Sequence, residues 1–143
     1  MKILAIDYGS KNIGLAMSDD EGRMAFAYKT LRVKTQDFSS WQKIISDLKK
    51  ICQQEKVKKI IIGMPLWLTG DKSQTTEVVF EFAHQLEKGI GLKVETIDER
   101  WSTVEAYKNK ISRDRSRPVL KHSLDALSAQ ILLQSWLEKN KRK

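Results

Sequence analysis

Residues 2–9 of the chain are KILAIDYG, residues 12–19 are NIGLAMSD and residues 24–31 are MAFAYKTL. Each run is short and rich in apolar residues, and turns that contain glycine, asparagine or aspartate separate one run from the next. Runs of this kind predict three strands that are joined in succession by hairpins. The first strand carries an aspartate, Asp7, at its end, just before the chain is predicted to turn.

The sequence beyond residue 37 predicts two crossovers, each of which places a helix before a strand. Apolar residues recur every three or four positions from residue 37 to residue 51, which indicates an amphipathic helix. The β-branched run KKIIIGMPL, residues 58–66, indicates a strand that is buried on both faces and ends at a proline. A second amphipathic helix is predicted to start at Thr75 or Thr76, to end at Gly89 and Gly91, and to lead to a fifth strand at residues 92–98.

The last third of the chain begins with a polar, basic stretch and ends in an apolar helix. Ser123 is predicted to cap this helix, which is apolar almost all round as far as Leu137 and should therefore be buried. We predict one domain at residues 1–138, followed by a basic C-terminal tail at residues 139–143. A hairpin unit joined to two βαβ crossovers gives an α/β fold with a mixed sheet, in which the parallel strands end at a common edge.

Carboxylates end the strands that meet at this edge. Asp7 ends the first strand, Asp98 and Glu99 end the fifth, and Asp125 is predicted in the first turn of the last helix. Each position alone is typical of a turn residue or of a partner for a helix dipole. Three separate segments that bring carboxylates together are typical of a site for a hard cation, Mg²⁺ or Mn²⁺. Two such ions can promote phosphodiester hydrolysis without a histidine base. The residues alone do not decide whether Asp98 or Glu99 is the metal ligand.

The basic residues predict contacts with nucleic acid. The net charge is +8, and between residues 108 and 121 a single aspartate opposes six basic side chains, which are Lys108, Lys110, Arg113, Arg115, Arg117 and Lys121. Such side chains neutralise phosphates without reading much sequence. Lys11 and Arg100, beside the acidic motifs, and His122, just before the last helix, are further candidates for phosphate contacts.

Composition excludes several classes of protein. No stretch reaches the roughly 20 apolar residues of a membrane span, so we expect a cytoplasmic protein that does not bind membranes, as a monomer or a weak homodimer. The single cysteine, Cys52, excludes an internal disulfide, and its apolar neighbours indicate a buried, inert thiol. His84 is predicted to be a surface or packing residue. Gly9, Gly14, Gly63 and Gly70 are predicted to permit tight turns and close approach of the backbone.

Four ordered motifs carry a family resemblance that covers almost the whole chain. They are DYGSKNIG at residues 7–14, IGMPL at residues 62–66 with Gly70, DERWST at residues 98–103 and SLDA at residues 123–126. The chain resembles the YqgF family of ribonuclease-H-like proteins, which are described as pre-16S ribosomal RNA nucleases or Holliday junction resolvases. The resemblance implies a ribonuclease-H-like, five-stranded sheet in the order 3-2-1-4-5 with helices on both faces. It also implies a catalytic, metal-binding triad of Asp7, Glu99 and Asp125.

Three functions remain open at this point. The first is metal-dependent cleavage of a phosphodiester, with a structured RNA precursor favoured through the resemblance and branched DNA as the alternative. The second is a module that binds nucleic acid without cutting it. The third is an ATPase of the actin-like class, because DYGS at residues 7–10 also fits a phosphate hairpin of that class, although a chain of 143 residues has room for only one of its two domains.

Overall fold

The computed structural model describes residues 1–9, 12–33, 38–63, 74–97 and 121–141. These ranges contain five strands and three helices, in the order predicted. In chain order they are β1 (Ile3–Tyr8), β2 (Asn12–Ser18), β3 (Ala25–Arg32), α1 (Phe38–Glu55), β4 (Lys59–Gly63), α2 (Gln74–Ile90), β5 (Val94–Ile97) and α3 (Lys121–Lys141).

The strands form one mixed sheet in the order β3-β2-β1-β4-β5. β2 is antiparallel to both β1 and β3, whereas β1, β4 and β5 run parallel to one another. The predicted hairpin unit and both crossovers are therefore confirmed, and β1 lies at the centre of the sheet. The carboxyl ends of β1, β4 and β5 share one edge, which we call the Asp7 edge.

One face of the sheet packs against α1 and α2 around three aromatic rings. Phe82 of α2 is completely buried, and its ring centroid lies 4.9 Å from that of Tyr8 and 5.7 Å from that of Trp41. The indole Nε1 of Trp41 donates a hydrogen bond of 3.2 Å to the Tyr8 hydroxyl. Burial raises the pKa of Tyr8, so its hydroxyl stays protonated. The trio joins both helices to the central strand.

The other face is lined by small residues and covered by α3. Ala5, Ala16 and Ala25 of the sheet pack against Ala129 and neighbouring leucines of the helix. Because alanine side chains are short, the helix backbone approaches the sheet closely. Gln134 accepts a hydrogen bond of 3.0 Å from the amide of Ala25, and Gln130 donates one of 3.1 Å to its carbonyl. These two bonds attach α3 to the edge strand.

Two helix starts differ from the prediction. α3 begins at Lys121, so Ser123 lies inside its first turn and is not the capping residue. α2 begins at Gln74, so Thr75 and Thr76 also lie inside the helix. Serine and threonine hydroxyls can bond backbone groups from within the first turn as well as from the cap, so their presence locates a helix start only to within a turn. The end of α2 is as predicted: Gly91 has φ +80° and donates to the carbonyl of Glu87.

The exposure of α3 also differs from the prediction. A stripe of Ala126, Ala129, Leu132, Leu133 and Leu137 is buried, whereas Trp136 and Ile131 are only partly buried. The helix packs on one sheet face, and within the described ranges no further layer covers its outer side. It continues to Lys141, so the first residues of the predicted basic tail, Lys139 and Lys141, belong to this helix.

Two single-residue expectations are confirmed. Cys52 is buried, and burial raises the pKa of its thiol to about 11, so it remains an unreactive thiol. His84 lies on the exposed side of α2. None of the helices in the described part of the chain is both long enough and apolar enough to cross a membrane.

Candidate active site at the carboxyl edge of the sheet

Asp7 is the next-to-last residue of β1 and lies on the sheet face that α3 covers. Side chains alternate along a strand, and Ile3 and Ala5, four and two positions before Asp7, belong to the core beneath α3. The side chain of Asp7 emerges on this same face and is half-buried. Asp7 therefore continues the row of Ile3 and Ala5 and places a carboxylate where the core beneath α3 ends, at the Asp7 edge.

Glycines flank Asp7 on both neighbouring strands. Its cross-strand partners are Gly14 on β2 and Gly63 on β4. Partners across a ladder point to the same face, with Cβ atoms about 5 Å apart, so any larger residue at these positions would crowd the carboxylate. β2 and β4 thus place no side chain directly beside Asp7, and we expect the ligand of the carboxylate to lie over these two glycines.

Gly9 makes the turn after Asp7 possible. A Cβ atom at position 9 would lie 2.5 Å from the carbonyl oxygen of Asn12, a distance that no side chain tolerates. The hairpin between β1 and β2 can therefore close tightly only with glycine at this position. The turn predicted at Gly9 is confirmed, whereas Gly14 lies within β2 and Gly63 is the last residue of β4, so neither makes a turn.

Two described elements lead along the chain to the other predicted carboxylates, β5 to Glu99 and α3 to Asp125. Gly63 pairs with Ile97, the last residue of β5, so positions 98 and 99 follow directly from the row that contains Asp7. The C-terminal half of α3 lies farther from the Asp7 edge: Trp136 donates a hydrogen bond of 2.8 Å to Glu95 in the middle of the sheet, and Gln134 binds Ala25 at its opposite end. The first turns of α3, with Asp125 as the fifth residue of the helix, therefore extend toward the Asp7 edge.

Most of the predicted contact residues lie outside the described ranges. This applies to Lys11, Asp98, Glu99, Arg100, Lys108, Lys110, Arg113, Arg115, Arg117 and Gly70. For Lys121, His122 and Asp125 only the helical backbone is described. Among the described residues, no three His, Cys, Asp or Glu side chains form a group that could hold a metal ion. The triad and the basic contacts therefore stay predictions.

Sequence reasoning missed the role of the two flanking glycines. Gly14 and Gly63 are predicted from the sequence to permit tight turns and close approach of the backbone, with no link to Asp7, but the strand register puts both beside it. A signal was present in the sequence, since each glycine is embedded in an apolar run that predicts a strand. A glycine inside a strand indicates close approach of a ligand or of another backbone.

The fold and the site together define a class of protein. A sheet in this order, with helices on both faces and an aspartate at the end of the central strand, is that of a ribonuclease-H-like nuclease domain. The solved structure of RuvC from Thermus thermophilus has the same fold, with a TM-score of 0.61 at 13% identity, over 99% of this chain and 97% of that one. RuvC of the same organism in complex with a Holliday junction substrate matches with a TM-score of 0.60 at 15% identity, over 99% of this chain and 96% of that one.

The sequence identifies the family within this class. The family model "RuvX: Holliday junction resolvase" matches residues 1–139, and the chain belongs to this family. A protein of Maridesulfovibrio salexigens is 40% identical over 96% of the chain and 98% of its own length. One of Koribacter versatilis is 37% identical over 96% of the chain and 87% of its own length. Both carry the name "Putative pre-16S rRNA nuclease". The family resemblance seen in the four motifs is confirmed, and the protein is a nuclease, a hydrolase of phosphodiester bonds that binds nucleic acid.

Substitution of Gly63 tests the space beside Asp7. We expect Gly63→Ala to lower the cleavage rate about tenfold and Gly63→Val to lower it about a hundredfold, because misplacement of a reacting group by about 1 Å has effects of this size. Steady-state cleavage assays measure the loss, and thermal unfolding checks the fold. Ile62→Val, which changes the adjacent residue on the opposite face, is the matched control and should retain activity. Full activity in folded Gly63→Val would contradict the assignment of this space to a ligand.

Proposed function

We propose that Asp7, Glu99 and Asp125 form the catalytic site of this nuclease and hold Mg²⁺ or Mn²⁺ between them. The observation that carries the proposal is the position of Asp7: half-buried at the end of the central strand, with a glycine on each side. An all-carboxylate set of oxygen donors fits a hard divalent cation better than zinc or copper. When bound, such a pair of ions activates water and stabilises the charge that develops on the leaving oxygen.

The chain's own residues have distinct tasks in this proposal. The three carboxylates hold the reacting centre at a fixed point of a rigid sheet, which limits the motion of the attacking group. Lys11 and Arg100 flank the acidic motifs and bind the scissile phosphate. The basic segment, with Lys108, Lys110, Arg113, Arg115, Arg117, Lys121 and His122, contacts phosphates further along the substrate. The net charge of +8 attracts the polyanion to a site whose immediate ligands are negative.

The proposed substrate is the precursor of 16S ribosomal RNA, cleaved near its 5′ end in the cytoplasm by a monomer or a weak homodimer. The names of the relatives that share up to 40% identity with the chain over nearly its full length support an RNA substrate. Branched DNA is the second candidate. The description of the family and the junction complex of the structurally similar RuvC favour it.

A competition assay ranks the two substrates. Labelled pre-16S RNA with an extended 5′ end and a four-way DNA junction of equal charge are incubated together with the purified protein and Mn²⁺. We expect the RNA to be cut at least about ten times faster, because a substrate matched to the site gains several interactions that each contribute to transition-state binding. Single strands of each sequence are the controls for trace contaminants. Preferential cutting of the junction would replace RNA with branched DNA, and no cutting of either substrate would favour a non-catalytic module.

A further inference from the structure

The edge strand β3 exposes two aromatic rings to solvent. Phe26 is 51% exposed and Tyr28 is 37% exposed, and the neighbouring Met24 is 55% exposed. Single exposed apolar side chains are ordinary on protein surfaces, but three within five residues form a patch, and a patch of this kind indicates a binding surface. Among the strands that the structure describes, β3 pairs with β2 alone, so the patch lies on an edge strand of the sheet.

A β-bulge determines which side chains share a face. The pairing of β2 with β3 shifts between Leu15 and Ala16, which leaves Tyr28 as the extra residue. Phe26 pairs with Met17 and Lys29 pairs with Leu15, and both partners belong to the core beneath α1 and α2. Without the bulge, strict alternation would put Phe26 and Lys29 on opposite faces. With it, a ring and a cation lie on one face, and Tyr28 lies between them in the chain.

Cations follow the rings along the same strand. Lys29 and Arg32 are exposed, and within the described ranges neither forms an ion pair. Lys29 shares the face of Phe26, whereas Arg32 pairs with Asn12 and lies on the opposite face, the one that carries Asp7. We call Phe26, Tyr28, Lys29 and Arg32, which lie on the two sides of this edge strand, the β3 platform.

The β3 platform leads to the candidate active site. β3 runs in the same direction as β1, because both are antiparallel to β2. Thr30 pairs with Gly14, which in turn pairs with Asp7, so the end of β3 near Arg32 lies two strands, or about 10 Å, from the proposed catalytic carboxylate. From Phe26 to Arg32 the strand rises roughly 20 Å, the scale of a few nucleotides. A chain that passes round the edge strand, from the face of Phe26 and Lys29 to the face of Arg32, would reach the Asp7 edge.

We infer that the β3 platform binds a single-stranded segment of the nucleic acid substrate and guides it toward Asp7. The inference rests on the proposed nuclease function and extends it. Exposed rings stack on bases only where the bases are unpaired, and a basic strand beside them holds the phosphates. The platform carries both exposed rings and cations, and the positive charges of Lys29 and Arg32 are opposite to the charge of the phosphates.

A second copy of the chain fits this edge less well. The backbone groups of Ala25, at the start of β3, are already bonded to Gln130 and Gln134. Antiparallel pairing of two β3 strands would also bring Lys29 and Arg32 of both copies close together. Cations on an edge strand oppose such self-pairing.

Binding measurements without a divalent metal test the inference separately from cleavage. Fluorescence anisotropy with a labelled single-stranded RNA is expected to show a Kd about tenfold higher for the double variant Phe26→Ala/Tyr28→Ala, because stacking contributes this much per base. Phe26→Leu/Tyr28→Leu keeps the apolar bulk but removes the flat rings and should show the same loss. Phe80→Ala, which removes another half-exposed ring on α2, should leave the Kd unchanged. A blunt RNA duplex should bind equally to all variants.

The salt dependence tests the cations of the platform. Lys29→Gln/Arg32→Gln should flatten the slope of log Kd against log salt by about 1.4, the value for two phosphate contacts to a single strand. Folded aromatic variants with an unchanged Kd would overturn the inference, as would a dimer of the wild type that only these variants dissociate. Neither outcome would contradict the proposed nuclease site. Undiminished cleavage by Asp7→Asn would contradict that site.

Discussion

Asp7→Asn is expected to reduce cleavage of any substrate of this nuclease by at least about a hundredfold. Asparagine has the same shape but lacks the negative charge with which a carboxylate holds a divalent cation. The stabilisation that such a cation gives a transition state is worth several kcal/mol, and each 1.36 kcal/mol is a factor of ten in rate. Single-turnover cleavage with saturating protein measures the chemical step without the contribution of binding.

Binding should respond in the opposite direction. Removal of one negative charge next to the scissile phosphate should leave the Kd unchanged or lower it, as measured by anisotropy without a divalent metal. Asp20→Asn is the matched control, because Asp20 lies in the turn after β2, at the end of the sheet opposite Asp7, with a side chain that is 91% exposed. It should keep wild-type cleavage. Undiminished cleavage by Asp7→Asn would remove Asp7 from the proposed site.

Phe82→Ala is expected to have the largest effect on stability. Phe82 is completely buried between Tyr8 and Trp41, and truncation of a buried phenylalanine costs about 3–5 kcal/mol because a cavity remains. For a domain of this size that cost corresponds to a decrease in Tm of roughly 10–15 °C. Differential scanning calorimetry measures the shift.

The control for this prediction lies two residues away on the same helix. Phe80 is 50% exposed, so Phe80→Ala should change the free energy of unfolding by less than about 0.5 kcal/mol. At temperatures well below its Tm, where the variant is folded, Phe82→Ala should still cleave the substrate. Equal stability losses for the two variants would mean that the aromatic trio does not join α2 to β1.

The strands and amphipathic helices were predictable because their signals are local. Apolar runs of β-branched residues gave β1 and β4, and steps of three and four residues gave α1. The buried state of Cys52 followed from the same stripe. The start of α3 was predicted less accurately, because Ser123 could bond backbone amides either as the cap or from the first turn.

The surroundings of Asp7 depended on partners far away in the sequence. Gly14 and Gly63 are 49 residues apart and flank the same carboxylate only because β1 pairs with both β2 and β4. The residues around each glycine do not predict which residue it pairs with on the neighbouring strand. The same holds for Gln130 and Gln134, which look like surface residues of a helix but bind the backbone of Ala25, more than 100 residues earlier.

The sequence by itself determined the class of fold, the family, and a carboxylate at the end of the first strand, because periodicity, turn residues and motifs are encoded in neighbouring positions. Only the tertiary structure decided the register. It set two glycines beside Asp7, and through one bulge at Tyr28 it put Phe26 and Lys29 on a common face. A shift of one residue in a ladder exchanges the two faces of a strand, and that choice is made by packing and pairing across the whole sheet.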